Sequence, residues 1–532
     1  MNVQRRLLQS VLAFALALAG SQQAFSQEWT WAQGFGGAGS DSFGGLVVDA
    51  TDHFYLSGSF SQRITLGTNV VRSQGQDDFF LMKSDPSGQV NWVLGIGGEL
   101  NDQSRGLGLD PQGNVCIAGV FGSSINVGGQ WITSQGGQDL LIAKYDSAGG
   151  FLWSRHAGGL DADEARAFTV DLQGNCLLAS VSKSQIIRFG DLSITNLGAG
   201  DIVLAKYGRN GDLTWVRQAG GAGDDFASAL AVDPAGNIYV TGGFASPAQF
   251  GTHAITDEVG STFLVKYNPE GEVIWVKTFG GAMGTFSTGL AWSPDNHLYL
   301  AGYYLDTATL GDHSLHAQGI SDVFLARIDP DGTFLWAQSA GGVSLDRAAG
   351  VAADTNGTAF LTGFIMGEAQ FGAHNVSSLG QALFAAQYSK EGETLRVEIP
   401  QAGFANEGKQ IIPLTIQPHW IAGEFTGNIQ LGDASLLSAG GRDIFLARLG
   451  DSGCAGPVEI RPIELKKIDS AAFEITAHVE PGQQFEIQAT TNFTNWMVLT
   501  NFAASSNTLV FTDTIPPTSA RLRFYRNVKI CP

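Results

Sequence analysis

The stretch Glu28-Trp-Thr-Trp-Ala-Gln-Gly-Phe-Gly-Gly37 is the end of a repeating unit that lacks its beginning. Near the other end, Asp443-Ile-Phe-Leu-Ala-Arg448 runs into Gly450-Asp-Ser-Gly453 and stops before the tryptophan strand that should follow. Between them a unit of about 61 residues recurs. Its closing tryptophan falls at Trp31, Trp92, Trp153, Trp215, Trp275 and Trp336, spaced by 60 to 62 residues. A glycine after an apolar residue marks Gly67, Gly128, Gly190, Gly251, Gly311, Gly372 and Gly432 on the same period. A small residue ends a strand at Gly58, Gly119, Ser180, Gly242, Gly302, Gly363 and Gly423.

The fourth unit shows how one repeat folds. Ala227–Val232 is a short apolar run closed by Asp233-Pro-Ala-Gly-Asn237, and Ile238–Thr241 follows. Thr262–Tyr267 is closed by Asn268-Pro-Glu-Gly271, and Val273–Lys277 carries Trp275. Proline presets φ and glycine takes the left-handed position, so these are strand–turn–strand signals. Each unit is a small antiparallel sheet of about four strands, which cannot bury both faces without stacking on its neighbours. A solenoid would need polar caps at both ends. An N-terminal strand that completes the seventh sheet removes both exposed edges instead. The fold expected is all-β: a seven-bladed β-propeller closed by the N-terminal strand, followed by a small β-sandwich-like domain.

The motif Asp224-Asp-Phe-Ala-Ser-Ala-Leu-Ala-Val-Asp-Pro-Ala-Gly-Asn-Ile-Tyr-Val-Thr-Gly242 resembles the SBBP type of bacterial β-propeller repeat, over residues 28 to about 453. Units five to seven depart from it at Ser293-Pro-Asp-Asn, Gln387 and Pro418-His-Trp420. The resemblance implies an extracytoplasmic propeller and brings no catalytic residues. Residues 455–532 break the period. Phe485-Glu-Ile-Gln-Ala-Thr-Thr-Asn, Asn495-Trp-Met-Val-Leu and Phe511-Thr-Asp-Thr alternate like strands, and Arg521-Leu-Arg-Phe-Tyr-Arg-Asn-Val-Lys529 closes the chain. This module resembles the terminal β-modules of secreted Verrucomicrobia-type and Planctomycetes-type proteins.

Residues 1–26 read as a signal peptide: Arg5 and Arg6, an apolar Leu7–Gly20, and Ala24-Phe25-Ser26 as the cleavage site. The expected domains are thus 1–26, a propeller at 27–454 and the module at 455–532, secreted, periplasmic or at the cell surface. No later segment is apolar enough to span a membrane as a helix. The formal charge is −20, and residues 455–532 hold equal numbers of acids and bases, so the repeats carry the excess. Such a chain repels DNA and RNA. Cys454 and Cys531 bracket the module and are a candidate disulfide. Cys116 and Cys176 fall in matching strands one position out of register, as buried free thiols.

A carboxylate leads into the first strand of six units, at Asp41, Asp102, Asp163, Asp225, Asp346 and Glu407, with Thr285 in the fifth. Such a ring coordinates Ca²⁺ through oxygen ligands or attracts a cation. Alternatively each acid caps its own turn. A second set, Asp78, Asp139, Asp201, Asp322 and Asp443, precedes Lys83, Lys144, Lys206, Arg327 and Arg448 by five residues, too far along one strand to pair. Trp131, Trp292 and Trp420 stand outside the period and are candidate stacking platforms. His313 and His316 with Asp312 form a candidate metal group. Catalytic motifs such as His-Glu-x-x-His and Gly-x-Ser-x-Gly do not occur. The reading favoured is a secreted, monomeric, non-catalytic scaffold that binds a protein, glycan or surface ligand without a resident cofactor. The alternative is a propeller enzyme acting on glycans, or a quinone-cofactor oxidoreductase.

Overall fold

The computed structural model describes residues 27–256, 262–413 and 419–451, and, as backbone, six strands between Ile463 and Ile530. The expected signal segment, 1–26, and the candidate disulfide cysteines, Cys454 and Cys531, lie outside the described residues. Every element among the described residues is a strand or a connection; none is a helix. One compact unit spans Trp29–Leu449.

The fourth repeat is a four-stranded antiparallel sheet in chain order: Phe226–Val232, Ile238–Gly243, Thr262–Tyr267 and Val273–Phe279. Between its second and third strands a small arm, Ala248–Phe250 with His253–Ile255, pairs back onto the preceding repeat's Leu213–Gly221 through Ala219↔Phe250. The arm turns at Gly251, whose φ of 56° recurs within a few degrees at all seven equivalent glycines. The same stitch joins Gly97 to Asn126 and Ala340 to Phe371. Gln27–Gly37 behaves as the last strand of such a repeat, pairing with Ala434–Asp451 and, through Gly36↔Thr65, with the first repeat's arm.

Stacking follows from burial. The described residues hold seven clusters of buried apolar side chains, each filled from two consecutive repeats. One of them joins the seventh repeat (Trp420, Ala422, Ile444) to the first (Leu46, Phe54, Phe80). The first strands of the seven repeats also touch in cyclic order, the last, Ala402–Ile412, reaching the first, Asp41–Val48. Cys116 and Cys176 do point to opposite faces of their sheets. Because those faces are stacked, their sulfurs meet 3.3 Å apart as buried free thiols.

Tryptophan and turn lock neighbouring repeats together. Trp92, Trp153, Trp215, Trp275 and Trp336 each donate Nε1–H to a carbonyl in the turn between the third and fourth strands of the next repeat, at 2.9–3.3 Å. The turn glycine lies on the indole: a Cβ at Gly149 would sit 3.3 Å from Trp92, and its φ of 86° excludes most side chains anyway. The strand lysines reach the same turns, Lys144 to the Arg209 carbonyl and Lys206 to the Pro269 carbonyl. Their carboxylate partners are turn aspartates, such as Asp110 to Lys144 at 2.7 Å, and not the acids five residues earlier.

The C-terminal strands form two three-stranded antiparallel sheets. Ile463–Lys467, Ala472–His478 and Thr508–Thr514 make one; Met497–Ala503, Gln484–Thr490 and Phe524–Ile530 make the other.

Candidate functional site

The periodic acids resolve into buried pairs. Asp41, Asp102, Asp163, Asp225 and Asp346 each accept an N–H from the residue four earlier, the second glycine of a Gly-Gly pair, at 2.7–2.9 Å. For most, the second oxygen is also occupied: Gly122 N donates to Asp102, Ser182 Oγ to Asp163, Ala245 N to Asp225 and Met366 N to Asp346. These carboxylates pin the loop between consecutive repeats to the second strand. Glu407 is not the seventh member. An additional irregularity between Gly403 and Ala405 shifts the strand, so Asn406 faces Phe425 as Asp41 faces Phe60. Asn406 accepts from Leu383 N, whereas Glu407 binds Lys409 at 2.8 Å.

The second set of acids faces the first across each repeat boundary: Asp443 to Asp41, Asp78 to Asp102, Asp139 to Asp163, Asp201 to Asp225 and Asp322 to Asp346. Each accepts one N–H from the residue four earlier, while its Oδ1 is buried without a partner. At Gly220 and Gly341 both acids press on the first glycine of the Gly-Gly pair, and at Gly36, Gly97 and Gly158 the acid of the second set does. A Cβ at Gly220 would lie 2.6 Å from Asp201 Oδ1 and 2.8 Å from Asp225 Oδ2. Burial raises the carboxyls, with the neighbouring acid adding to it: Asp41, Asp102 and Asp139 to about 7, Asp78, Asp225 and Asp346 to about 6. At the two boundaries without a pair, both acids are missing together: Ser261 with Thr285, and Ala382 with Asn406. The pairs are internal to the frame. Among the described residues no group of three or more His, Cys, Asp or Glu side chains converges as a metal site. His313 instead contacts the Phe334 carbonyl at 3.2 Å.

The stacking candidates divide. Trp420 is fully buried under Arg448, whose guanidinium lies 4.2 Å from its ring, so it belongs to the core and not to a ligand surface. Trp292 is partly buried, with one face against Tyr239 at 5.5 Å. Trp131 is 59% exposed on the arm of the second repeat.

What breaks the symmetry is one residue further along the first strands. Each of these strands carries a β-bulge there, and a bulge re-aims side chains. Two positions before the bulged residue stand Ser42, Gln103, Glu164, Phe226, Phe286, Arg347 and Glu407, paired with Ser59, Val120, Val181, Gly243, Tyr303, Phe364 and Glu424 on the second strands. The bulged residues are Gly44, Arg105, Arg166, Ser228, Thr288, Ala349 and Lys409. Since the first strands touch in cyclic order, these positions recur at equivalent places around that cycle of contacts.

These positions fall into two sectors. In the charged one, Glu164 binds Arg166 at 2.6 Å and Lys183 at 3.1 Å. Burial alone would raise Glu164, but these cations, with Arg105 nearby, hold it below its ordinary value. Glu424 accepts from Phe43 N and from Arg442 Nη1. Arg105 donates to Gln103 Oε1 at 2.6 Å and faces Arg166, Glu164 and Glu424. In the aromatic sector, Phe286 and Tyr303 stack at 4.9 Å and 20°, with the Arg347 guanidinium 4.4 Å from the Tyr303 ring. Sequence reasoning missed this site. The bulged positions share no chemistry, and the period drew attention to the regular residues instead.

Comparison with known proteins agrees with a propeller repeat chain. The family model described as "SBBP: Beta-propeller repeat" matches residues 214–242. An uncharacterized WD repeat-containing protein of Acanthamoeba polyphaga mimivirus is 24% identical over 409 residues, 60% of this chain and 29% of that protein. The regulatory protein FlaEY of Caulobacter vibrioides is 24% identical over 347 residues, 60% of this chain and 36% of its own length. The chain therefore spans about a third of these relatives. Among solved structures, the PQQ-bound aldose sugar dehydrogenase of Streptomyces coelicolor aligns at 11% identity and a TM-score of 0.35, covering 66% of this chain and 96% of that one. A Synechocystis apocarotenoid oxygenase aligns at 10% identity and a TM-score of 0.35, covering 80% and 94%.

Proposed function

We propose that the seven repeats form a closed seven-bladed β-propeller and that its channel mouth is a ligand site on a secreted, monomeric, non-catalytic scaffold. The strands after residue 463 would serve as a sandwich-like attachment module. The N-terminal strand's pairing with Ala434–Asp451 and the apolar cluster shared by repeats seven and one support the closure. The contrast between a regular frame and an irregular mouth carries the functional reading. Buried acid pairs recur at five of seven boundaries, whereas the lining changes from repeat to repeat. Binding is favoured over hydrolysis because the mouth's acids are matched by cations, Glu164 by Arg166 and Glu424 by Arg442, which disfavours a proton-donating carboxyl there.

The test is a glycan and peptide array probed with the wild type and with a triple variant, Arg105→Ser, Arg166→Ser and Lys409→Ser. The fourth repeat already carries Ser228 at this bulge, so serine suits its geometry. Binding that disappears in the variant at unchanged melting temperature supports the mouth as the site. Binding that persists unchanged places it elsewhere, and turnover of an array glycan would favour the enzyme reading.

A further inference from the structure

We propose that this mouth selects a carboxylate attached to a ring, with the ring laid on Phe286 and the carboxylate held by Arg347. The proposal rests on the reading of the mouth as a ligand site. Three observations carry it. First, the fifth repeat alone places aromatic residues at both paired positions, and they stack at 4.9 Å with Phe286 37% exposed. Phe226 is the aromatic residue at the same position of the fourth repeat, with its ring over Gly243, where a Cβ would approach it to 2.5 Å. The open side of Phe286 takes the face of a sugar or an aromatic ring.

Second, Arg347 is held over the Tyr303 ring and is not neutralised. Its guanidinium lies 4.4 Å from the Tyr303 centroid, its Nε is buried without a partner, and no carboxylate pairs with it among the described residues. A guanidinium held by stacking keeps its fork free for two parallel hydrogen bonds to a carboxylate. Third, cations gather at this mouth although the chain as a whole carries −20. Arg105 is bonded to the neutral Gln103 and faces a second guanidinium, Arg166, alongside Glu164 and Glu424.

Calorimetric titration at low salt tests this with three probes: trigalacturonate, the neutral galactose trimer, and benzoate. The first and third share the carboxylate on a ring and separate an acidic sugar from an aromatic acid. Arg347→Gln and Phe286→Gln borrow the residue that Gln103 places at the equivalent position. Expected are binding of at least one acidic probe and none of the neutral trimer. Arg347→Gln should weaken it roughly tenfold to a hundredfold, Phe286→Gln should weaken it too, and salt should weaken it further. Arg105→Ser, which leaves the aromatic sector intact, should cost a smaller factor. Should the Gln variant fail to fold, Arg347→Lys keeps the charge without the fork, and it should still lose affinity. Equal binding of the neutral trimer, lost in Phe286→Gln but indifferent to Arg347→Gln, overturns the anion selection while sparing the mouth as a site. Failure of both acidic probes to bind also overturns the proposal, whereas the array result with the bulge variant stands or falls separately.

Discussion

Replacing Asp139 with asparagine should leave the protein about as stable as wild type at pH 5 and make it more stable at pH 8. Asp139 is fully buried, and its Oδ2 accepts from Gln135 N at 2.9 Å while its Oδ1 accepts nothing. Across the boundary Asp163 accepts from Gly159 N, Ser182 Oγ and Ser184 Oγ. One proton on Asp139 Oδ1 therefore satisfies the pair; two negative charges there would not be balanced. Burial, then Asp163, raises the Asp139 carboxyl from 3.8 to about 7. A raised folded value means that the folded state binds the proton more tightly. This stabilisation is complete below about pH 4 and disappears as pH rises through about 7. At about 1.4 kcal/mol per unit, the difference is bounded at about 4 kcal/mol, and is roughly half that once solvent screening is allowed for. Five further carboxyls are raised to about 6 or 7, and Asp77, Asp163, Asp201, Asp322 and Asp443 are raised as well, against two histidines lowered by burial, His156 and His419, the latter to about 4. Wild type should thus melt highest in mild acid and lose several degrees between pH 5 and pH 8. Asp139→Asn replaces the proton by an amide N–H and should flatten part of that slope, gaining about 2 kcal/mol at pH 8. The assay is thermal and urea unfolding at both pH values. A wild-type melting temperature that is flat from pH 5 to 8, or a variant weaker than wild type at pH 8, refutes the reasoning.

Gly220→Ala should destabilise by roughly 2–4 kcal/mol, because its Cβ would meet both Asp201 and Asp225 at a φ of 144°. Gly113→Ala, at a φ of 80° with nothing within 4 Å, should cost only about 1 kcal/mol of backbone strain. Comparing their urea midpoints checks the difference. Deleting Glu28–Gly37 removes the strand paired with Ala434–Asp451 and should lower the melting temperature sharply; an unchanged value would contradict closure by that strand. Trp420→Ala should cost about 3–5 kcal/mol, whereas Trp131→Ala, at a 59% exposed position, should stay within about 0.5 kcal/mol in the same unfolding assay.

The frame was legible in the chain because its determinants are local and repeated. Turns of the form Asp233-Pro-Ala-Gly close within a few residues, and the tryptophans report themselves by their fixed period. The acid pairs were half legible. Gly36-Gly37 before Asp41, Gly97-Gly98 before Asp102 and Gly220-Gly221 before Asp225 spell a Gly-Gly-x-x-x-Asp motif, and its spacing already marks the carboxylate as a cap. That Asp78 faces Asp102 across a repeat boundary was not legible, because that contact belongs to stacking and not to either strand. Nor could counting tell Glu407 from Asn406, since the irregularity near Gly403 leaves no trace in residue spacing. The mouth was hidden for a different reason. Its members come from seven positions spread over the repeats, and only the cyclic contact of the first strands assembles them.

Repetition itself separates frame from site. At a boundary, the two acids are either both present or both absent, as Ser261 with Thr285 and Ala382 with Asn406 show. Paired retention and paired loss indicate that each acid is useful only beside the other, which is the behaviour of a packing device. At the mouth no such rule holds: Arg105, Arg166 and Lys409 occupy a bulge that glycine, serine, threonine and alanine fill elsewhere. If the bulge needed only to turn the strand, the small residues would suffice in every repeat. Long cations at three of the seven positions, and an aromatic stack in the fifth repeat alone, are additions that the fold does not require. A ligand that approaches off the symmetry axis is the simplest reason to keep them.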